Sequence, residues 1–251
     1  MILSPYNAPT RVLDARVVCD PPRKKVVIIG FSDTAMAVKA FQRDPTWEIW
    51  GLNHGYALSL FWDEWHRFRA DRWFEMHPIR VQPVNDLSWM HTCPIPIYVL
   101  DQRDPHPEGY SPNTVTYPRE ACEHVLPVPF ANPGYWACTF AYQIALAIVE
   151  GFEEIALVGL DFASPREWLF ERSNTLFWAG VAAGRGIKLS WPRHSTIFEH
   201  PYAYGYDYEG EIQWCQRGVD RWTNAWGYEL RPDAAEMYRE RERQIQEAIA
   251  R

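Results

Sequence analysis

Residues 151–162 read GFEEIALVGLDF, an aliphatic run that opens on a glycine and closes on Gly159 and Asp161. A short apolar run bounded by glycines suits a strand buried on both faces, and such strands belong to parallel sheets covered by helices. The preceding segment, TFAYQIALAIVEGF (139–152), is apolar nearly all round, which predicts a buried helix whose last turn closes at Gly151. Beyond 162 the pattern predicts a helix over 167–183 and a last strand at GIKLSW (186–191).

Towards the N-terminus, KKVVIIG (24–30) is another continuous β-branched run and is expected to be central in the sheet. SDTAMAVKAFQRD (32–44) follows as a helix, with Ser32 or Asp33 at its cap position. WEIWGLN (47–53), DRWFEMH (71–77) and IPIYVLDQ (95–102) are further strand candidates, and each ends in a polar residue. Residues 103–134 are interrupted by Pro105, Pro107, Pro112, Pro118, Pro127, Pro129 and Pro133 and read as a long loop or lid. The expected fold class is α/β: a single Rossmann-like domain, its sheet mostly parallel with helices on both faces. It divides into an N-terminal arm (1–23), the Rossmann-like nucleotide-binding domain (24–206), and an aromatic loop with a charged C-terminal helix (207–251).

Composition narrows the classes of function. The 251 residues are 47% hydrophobic and 23% charged, enough to bury a core. A net charge of -7 offers no bulk attraction to phosphate backbones or anionic lipid, which disfavours nucleic acid as a partner but leaves a modified base open as an acceptor. The N-terminus lacks a charged segment followed by an apolar one, and no run approaches the roughly 20 apolar residues of a membrane span; the expectation is a cytoplasmic protein. Cys19, Cys93, Cys122, Cys138 and Cys215 are scattered, as reduced thiols are. The 13 tryptophans point first to thick core packing, and second to an aromatic ligand cleft.

In open parallel sheets ligands sit beyond the carboxyl ends of the strands. That rule gathers Gly30, Phe31, Ser32, Asp33, Asn53, Glu75, His77, Asp101, Gln102 and Asp161 on one edge, with Asp161 at a rim facing solvent or ligand and Gly159 admitting a close backbone or ligand. Other motifs are weaker. CEH (122–124) and HTC (91–93) lack a partner pair at zinc spacing, so no metal site is expected. GFSDT is not GxGxxG, which disfavours dinucleotide redox chemistry. His66, Arg67, Arg69 and Arg72 form a basic and aromatic cluster that reads first as a solvated face paired with Asp63, Glu64 and Asp71, and second as a holder of phosphates. The helix at 231–251 carries Ala234, Tyr238, Ile245 and Ile249 on one side, a stripe for docking on its own domain or for a homo-oligomer.

The blocks TFAYQIALAIVEGFEEIALVGLDF and GIKLSWPRHSTIF, with VVIIGFSDT and WGLNHGY, resemble glycosyltransferase family 42, the bacterial sialyltransferases. The modified Rossmann fold of that family is shared with Maf flagellin glycosyltransferases and archaeal pterin pyrophosphokinases. WEIWGLN, WFEMH and YGYDYE are similar to proteins encoded by tailed phages. The resemblance covers about residues 24–200 and is distinctive over 137–162. It implies a metal-independent transferase using a nucleotide-sugar donor, most readily a pyrimidine nucleotide, with no further cofactor. It also implies that the backbone of Gly30, Ser32 and Asp33 meets the donor phosphate at a helix N-terminus, that Asn53 and Thr139 contact ribose or base, that Gly159 and Asp161 lie beneath the nucleotide, and that Ser195 belongs to a phosphate loop. Two positions depart from the family: Phe31 stands where it has an asparagine, and Leu169 where it has its catalytic histidine. The proton of the acceptor, whose identity stays open, must then be taken by another group. His77 is the first choice and Glu171 the second. The alternative is a non-catalytic nucleotide- or protein-binding module that kept the cleft and lost the base.

Overall fold

The computed structural model describes residues 1–78, 81, 84–100, 113–126, 135–162 and 167–198, with Arg243 and Glu247. The chain forms two compact units, Met1–Phe162 with Phe170–Ile197, and Ala163–Leu169 with Phe198–Arg251. The charged C-terminal helix, Cys215, Asp101, Gln102 and most of the 103–134 loop lie outside the described residues.

In the first unit, β1 (Thr10–Leu13) and β2 (Arg16–Cys19) form an antiparallel hairpin. The main sheet comprises β3 (Lys25–Ile29), β4 (Trp47–Leu52), β5 (Arg72–Glu75), β6 (Ile97–Val99), β7 (Thr114–Thr116), β8 (Glu154–Val158) and β9 (Lys188–Ser190). Its order is β7-β6-β5-β4-β3-β8-β9, parallel throughout. The expected α/β class and the central place of 24–30 are therefore correct. The chain builds outward from β3 to β7, then returns to lay β8 on the other side of β3. The strand order reverses between β3 and β8, the place where α/β sheets open a crevice.

The pleat sorts side chains by turns to the two faces. Val27, Ile29, Ile49, Trp73, Ile97, Val99, Ala156 and Val158 share one core with Phe61, Phe68 and Trp89. On alternate positions an aromatic row crosses the sheet: Phe152 meets Trp50 (5.3 Å between ring centres), Trp50 meets Phe74 (5.2 Å), and Phe74 stacks on Tyr98 (4.8 Å). Trp50, Trp73 and Trp178 are wholly buried, so much of the aromatic excess is core. The helices are α1 (Val84–Thr92), α2 (Arg119–Glu123), α3 (Thr139–Val149) and α4 (Arg172–Gly184). As its all-round apolarity requires, α3 buries Ile144, Ala145, Leu146 and Ala147, and Gly151 follows it with φ +73°.

Three expectations are corrected. The helix expected over 32–44 is a 3-10 run, Asp33–Ala40. The proline-rich stretch contributes β7 and α2, because Thr114–Thr116 pairs with β6. The basic cluster is a solvated face only at His66 and at Arg67, which pairs with Asp63 (3.0 Å); Arg69 and Asp71 are wholly buried as an ion pair, and Arg72 is 3% exposed. Arg72 holds Glu48 at 2.7 Å and Glu150 at 2.6 Å, and its guanidinium lies over the Trp50 ring. Asp71 accepts the backbone N–H of Ala8 and of Ile49 and so anchors the N-terminal residues to β4.

Candidate functional site

The carboxyl ends of β3 and β8 meet at two glycines. Gly30 N–H donates to the Val158 carbonyl (2.8 Å), and Ser32 N–H to that of Gly159 (3.1 Å). A methyl group on Gly30 would fall on the Gly159 carbonyl oxygen, and one on Gly159 would stand 2.6 Å from Ala35 Cβ. Gly159 also has φ +74°, a conformation in which a side chain is strained. The close approach expected at Gly159 is therefore that of another backbone.

Around these glycines a polar knot closes. Ser32 Oγ donates to the Gly159 carbonyl (2.6 Å) and accepts from Asp161 N–H (2.9 Å). Thr34 Oγ1 accepts from Gly159 N–H (3.1 Å) and reaches both Asp161 carboxylate oxygens at 2.9 Å. Thr34 N–H donates to Asp161 Oδ2 (3.2 Å), and Thr196 Oγ1 to the Asp161 carbonyl. The start of the 3-10 run is thus capped by a carboxylate from the β8 loop, and Ser32, read as its cap, makes no side-chain capping bond. Asp161 is buried at 8% exposure, not the open rim carboxylate expected. The Asp161 carboxylate thus occupies the Thr34 N–H at this helix start, beside the Gly30 to Asp33 backbone. Asp33 is exposed beside it.

Along the same edge, Asn53 follows β4 with φ +46°; its carbonyl accepts Trp73 Nε1–H (3.0 Å), and its Oδ1 is buried without a partner. Phe31 is partly exposed and lies 4.9 Å from the exposed His54 ring. Thr139 opens α3, buried, with the Cys138 thiol behind it pushed up to about 11 by burial. One turn on, Gln143 gives Nε2–H to the Gly51 carbonyl (3.3 Å) and leaves Oε1 buried and unpartnered. Ser195 sits in a turn, its N–H on the Pro192 carbonyl (2.9 Å) and its Oγ accepting Ile197 N–H (3.4 Å).

Past β5, His77 Nδ1 lies 2.7 Å from Glu75 Oε1; the imidazole is 54% exposed and the carboxylate 3%. The hydrogen bond to Glu75 raises the imidazole pKa above its ordinary 6.5, against partial burial, and the charges of Glu75, Glu171 and Asp86 raise it further. Asp86, from α1, is held by the Tyr56 hydroxyl at 2.6 Å. Tyr56 stacks on Trp89 at 4.5 Å, and its pKa is driven well up by burial and by the bond to Asp86. Glu171, distant in sequence from the Glu75–His77 pair, thus acts on the same imidazole electrostatically. Thr34, Thr196, Tyr56, Asp86 and Gln143 were not singled out in the sequence. The readable hints were the SDT triplet at a helix start and Gln143 alone among apolar residues of α3.

No family model matches this sequence, and no curated protein matches it. The fold is similar to that of an α-2,3-sialyltransferase from Campylobacter jejuni in apo form, at 12% identity over 74% of this chain and 82% of that one (TM-score 0.48). It is similar to the monofunctional α-2,3-sialyltransferase Cst-I of the same organism at 13% identity, over 74% and 82% (TM-score 0.47). The sialyltransferase CstII from Campylobacter jejuni, in complex with cytidine-5'-monophosphate, shares 14% identity over 67% and 79% (TM-score 0.43).

Proposed function

We propose that this chain is a glycosyltransferase-like enzyme that moves a sugar from a pyrimidine-nucleotide donor to a hydroxyl acceptor, with His77 taking the acceptor proton. The observation that carries the reading is the half-exposed imidazole at the carboxyl edge of β5, backed by a buried carboxylate. A solvent-accessible histidine in that setting can accept a proton near neutral pH, and general-base help contributes about 10²- to 10⁴-fold. The parallel sheet with its β3/β8 reversal supports a nucleotide on the same edge, as does the resemblance of the 137–162 block. The filled start of the 3-10 run argues that the donor phosphates are met elsewhere, and the start of α3, at Thr139, is the helix start we assign to them. Asn53 and Thr139 then flank the ribose or base. Glu171, whose charge reaches His77, is the second candidate for the base.

The capped helix start also favours a second reading, a nucleotide- or protein-binding module without turnover. One experiment separates them: thermal shift with CMP, CTP, UDP, GDP and ADP, followed by phosphorus NMR of the matching nucleotide sugars. A ligand at 100 times its dissociation constant adds about 2.7 kcal/mol of stability. We expect a pyrimidine nucleotide to stabilise most and its sugar conjugate to be consumed. Stabilisation without consumption selects a nucleotide-binding module, and no shift at millimolar nucleotide sinks the transferase and leaves only protein binding.

A further inference from the structure

The Glu75–His77 contact carries a more specific statement, which rests on the reading of His77 as the base. A neutral imidazole has one N–H and one lone pair, and in free histidine the N–H prefers Nε2, which leaves the lone pair on Nδ1. Here Nδ1 faces Glu75 Oε1 at 2.7 Å. Glu75 closes β5 with its side chain 3% exposed, so its carboxylate cannot swing away as a surface acid would. An Nδ1 lone pair facing a carboxylate would be repelled, whereas an Nδ1–H donates to it. The same carboxylate also lies 3.4 Å from the His77 backbone N–H, so one buried group holds both the ring and the chain that carries it.

We propose that Glu75 is a positioning residue: it keeps the proton of neutral His77 on Nδ1, so that Nε2 is the nitrogen that takes the acceptor proton. Glu75 does not itself meet the substrate. The other charges facing the ring are Asp86 from α1 and Glu171 at the head of α4, and both favour its protonated form. They act through space, whereas among the described residues Glu75 is the one that fixes which nitrogen is bare.

The tautomer can be read without any turnover, by two-bond proton–nitrogen correlation spectra of the full chain with labelled histidine, His77 being assigned through His77→Gln. At a pH where the ring is neutral, the expected wild-type spectrum has Nδ1 protonated and Nε2 bare. Glu75→Ala should move the proton to Nε2 and lower the titration midpoint. Should Glu75→Ala fail to fold, Glu75→Gln, of the same shape, should still lower the midpoint by removing the charge. In the transfer assay Glu75→Ala should reduce kcat by about 10²-fold or more with KM within a factor of about two. A wild-type ring protonated on Nε2, or an unchanged tautomer and midpoint in the variants, overturns the proposal even if transfer is found. The expected tautomer together with no donor consumption keeps the positioning and removes the transferase reading.

Discussion

Replacing Asp161 by alanine separates a structural carboxylate from a ligand-facing one. In the folded chain its carboxylate takes the Thr34 N–H at 3.2 Å and the Thr34 hydroxyl at 2.9 Å, while the residue is 8% exposed. Hydrogen bonds to charged groups contribute about 1.5–3 kcal/mol each, and loss of a helix cap typically costs about 1 and at most about 2 kcal/mol. The two bonds share one donor residue, and the Thr34 hydroxyl keeps its bond from Gly159 N–H. The losses are therefore less than additive, and the expected destabilisation is about 2–4 kcal/mol. With a urea slope of about 2 kcal/mol/M, the unfolding midpoint should fall by about 1–2 M at unchanged slope. Asp161→Asn retains an acceptor and should lose roughly half as much. In a double-mutant cycle with Thr34→Val, the coupling should exceed about 1 kcal/mol. A midpoint within the error of wild type, combined with lost nucleotide binding, would refute this reasoning and return the carboxylate to the ligand.

Three further outcomes are expected. Gly30→Ala drives a methyl into the Gly159 carbonyl at the carboxyl ends of β3 and β8 and should cost about 3 kcal/mol or more, the upper end for overpacking; a loss under about 1 kcal/mol by urea titration contradicts the close approach. Arg72→Met strands Glu48 and Glu150 beside an apolar stem and should cost about 3–5 kcal/mol, with Glu48→Gln added to it restoring part; no recovery in the double variant would argue against a shared ion cluster. His77 has its pKa raised above 6.5 in the folded chain, so its contribution to stability is complete below about 6.5 and fades as pH rises through the raised value. The rate of a base-catalysed transfer should climb through that same range, and His77→Gln should remove both dependences; a rate limb below pH 6.5 would speak against His77 as the base.

What was legible in the sequence follows from what burial does to composition. Strands covered on both faces read as near-continuous apolar runs, so Val26–Ile29 and Ile155–Val158 stand out without any knowledge of their neighbours. Thr114–Thr116 does not, being an edge strand of three residues among prolines whose pairing depends on β6. The shortened helix after Gly30 was unreadable for a related reason, since its cap comes from a residue 127 positions away. The same distance hid the fate of Asp161: chemistry named it as a carboxylate at a strand end, but only the fold brings Thr34 to it. Glu75 ends β5 and His77 follows it two residues on, so their proximity could be anticipated from spacing.

The sheet order has a consequence for synthesis. The adjacent strands β3 and β8 are far apart in the chain, and Ser32 must wait for Gly159, 127 positions later. Until that segment leaves the ribosome, the nascent sheet can assemble only from β3 outward, with one side of Lys25–Ile29 unpaired and its apolar faces uncovered by α3. Translation proceeds at about 5–20 residues per second, so this edge stands open for roughly 6–25 seconds, long on the scale of strand pairing. A stalled or truncated product ending before 150 would present that open strand to any neighbour, and it is the stage at which a chaperone has most to hold.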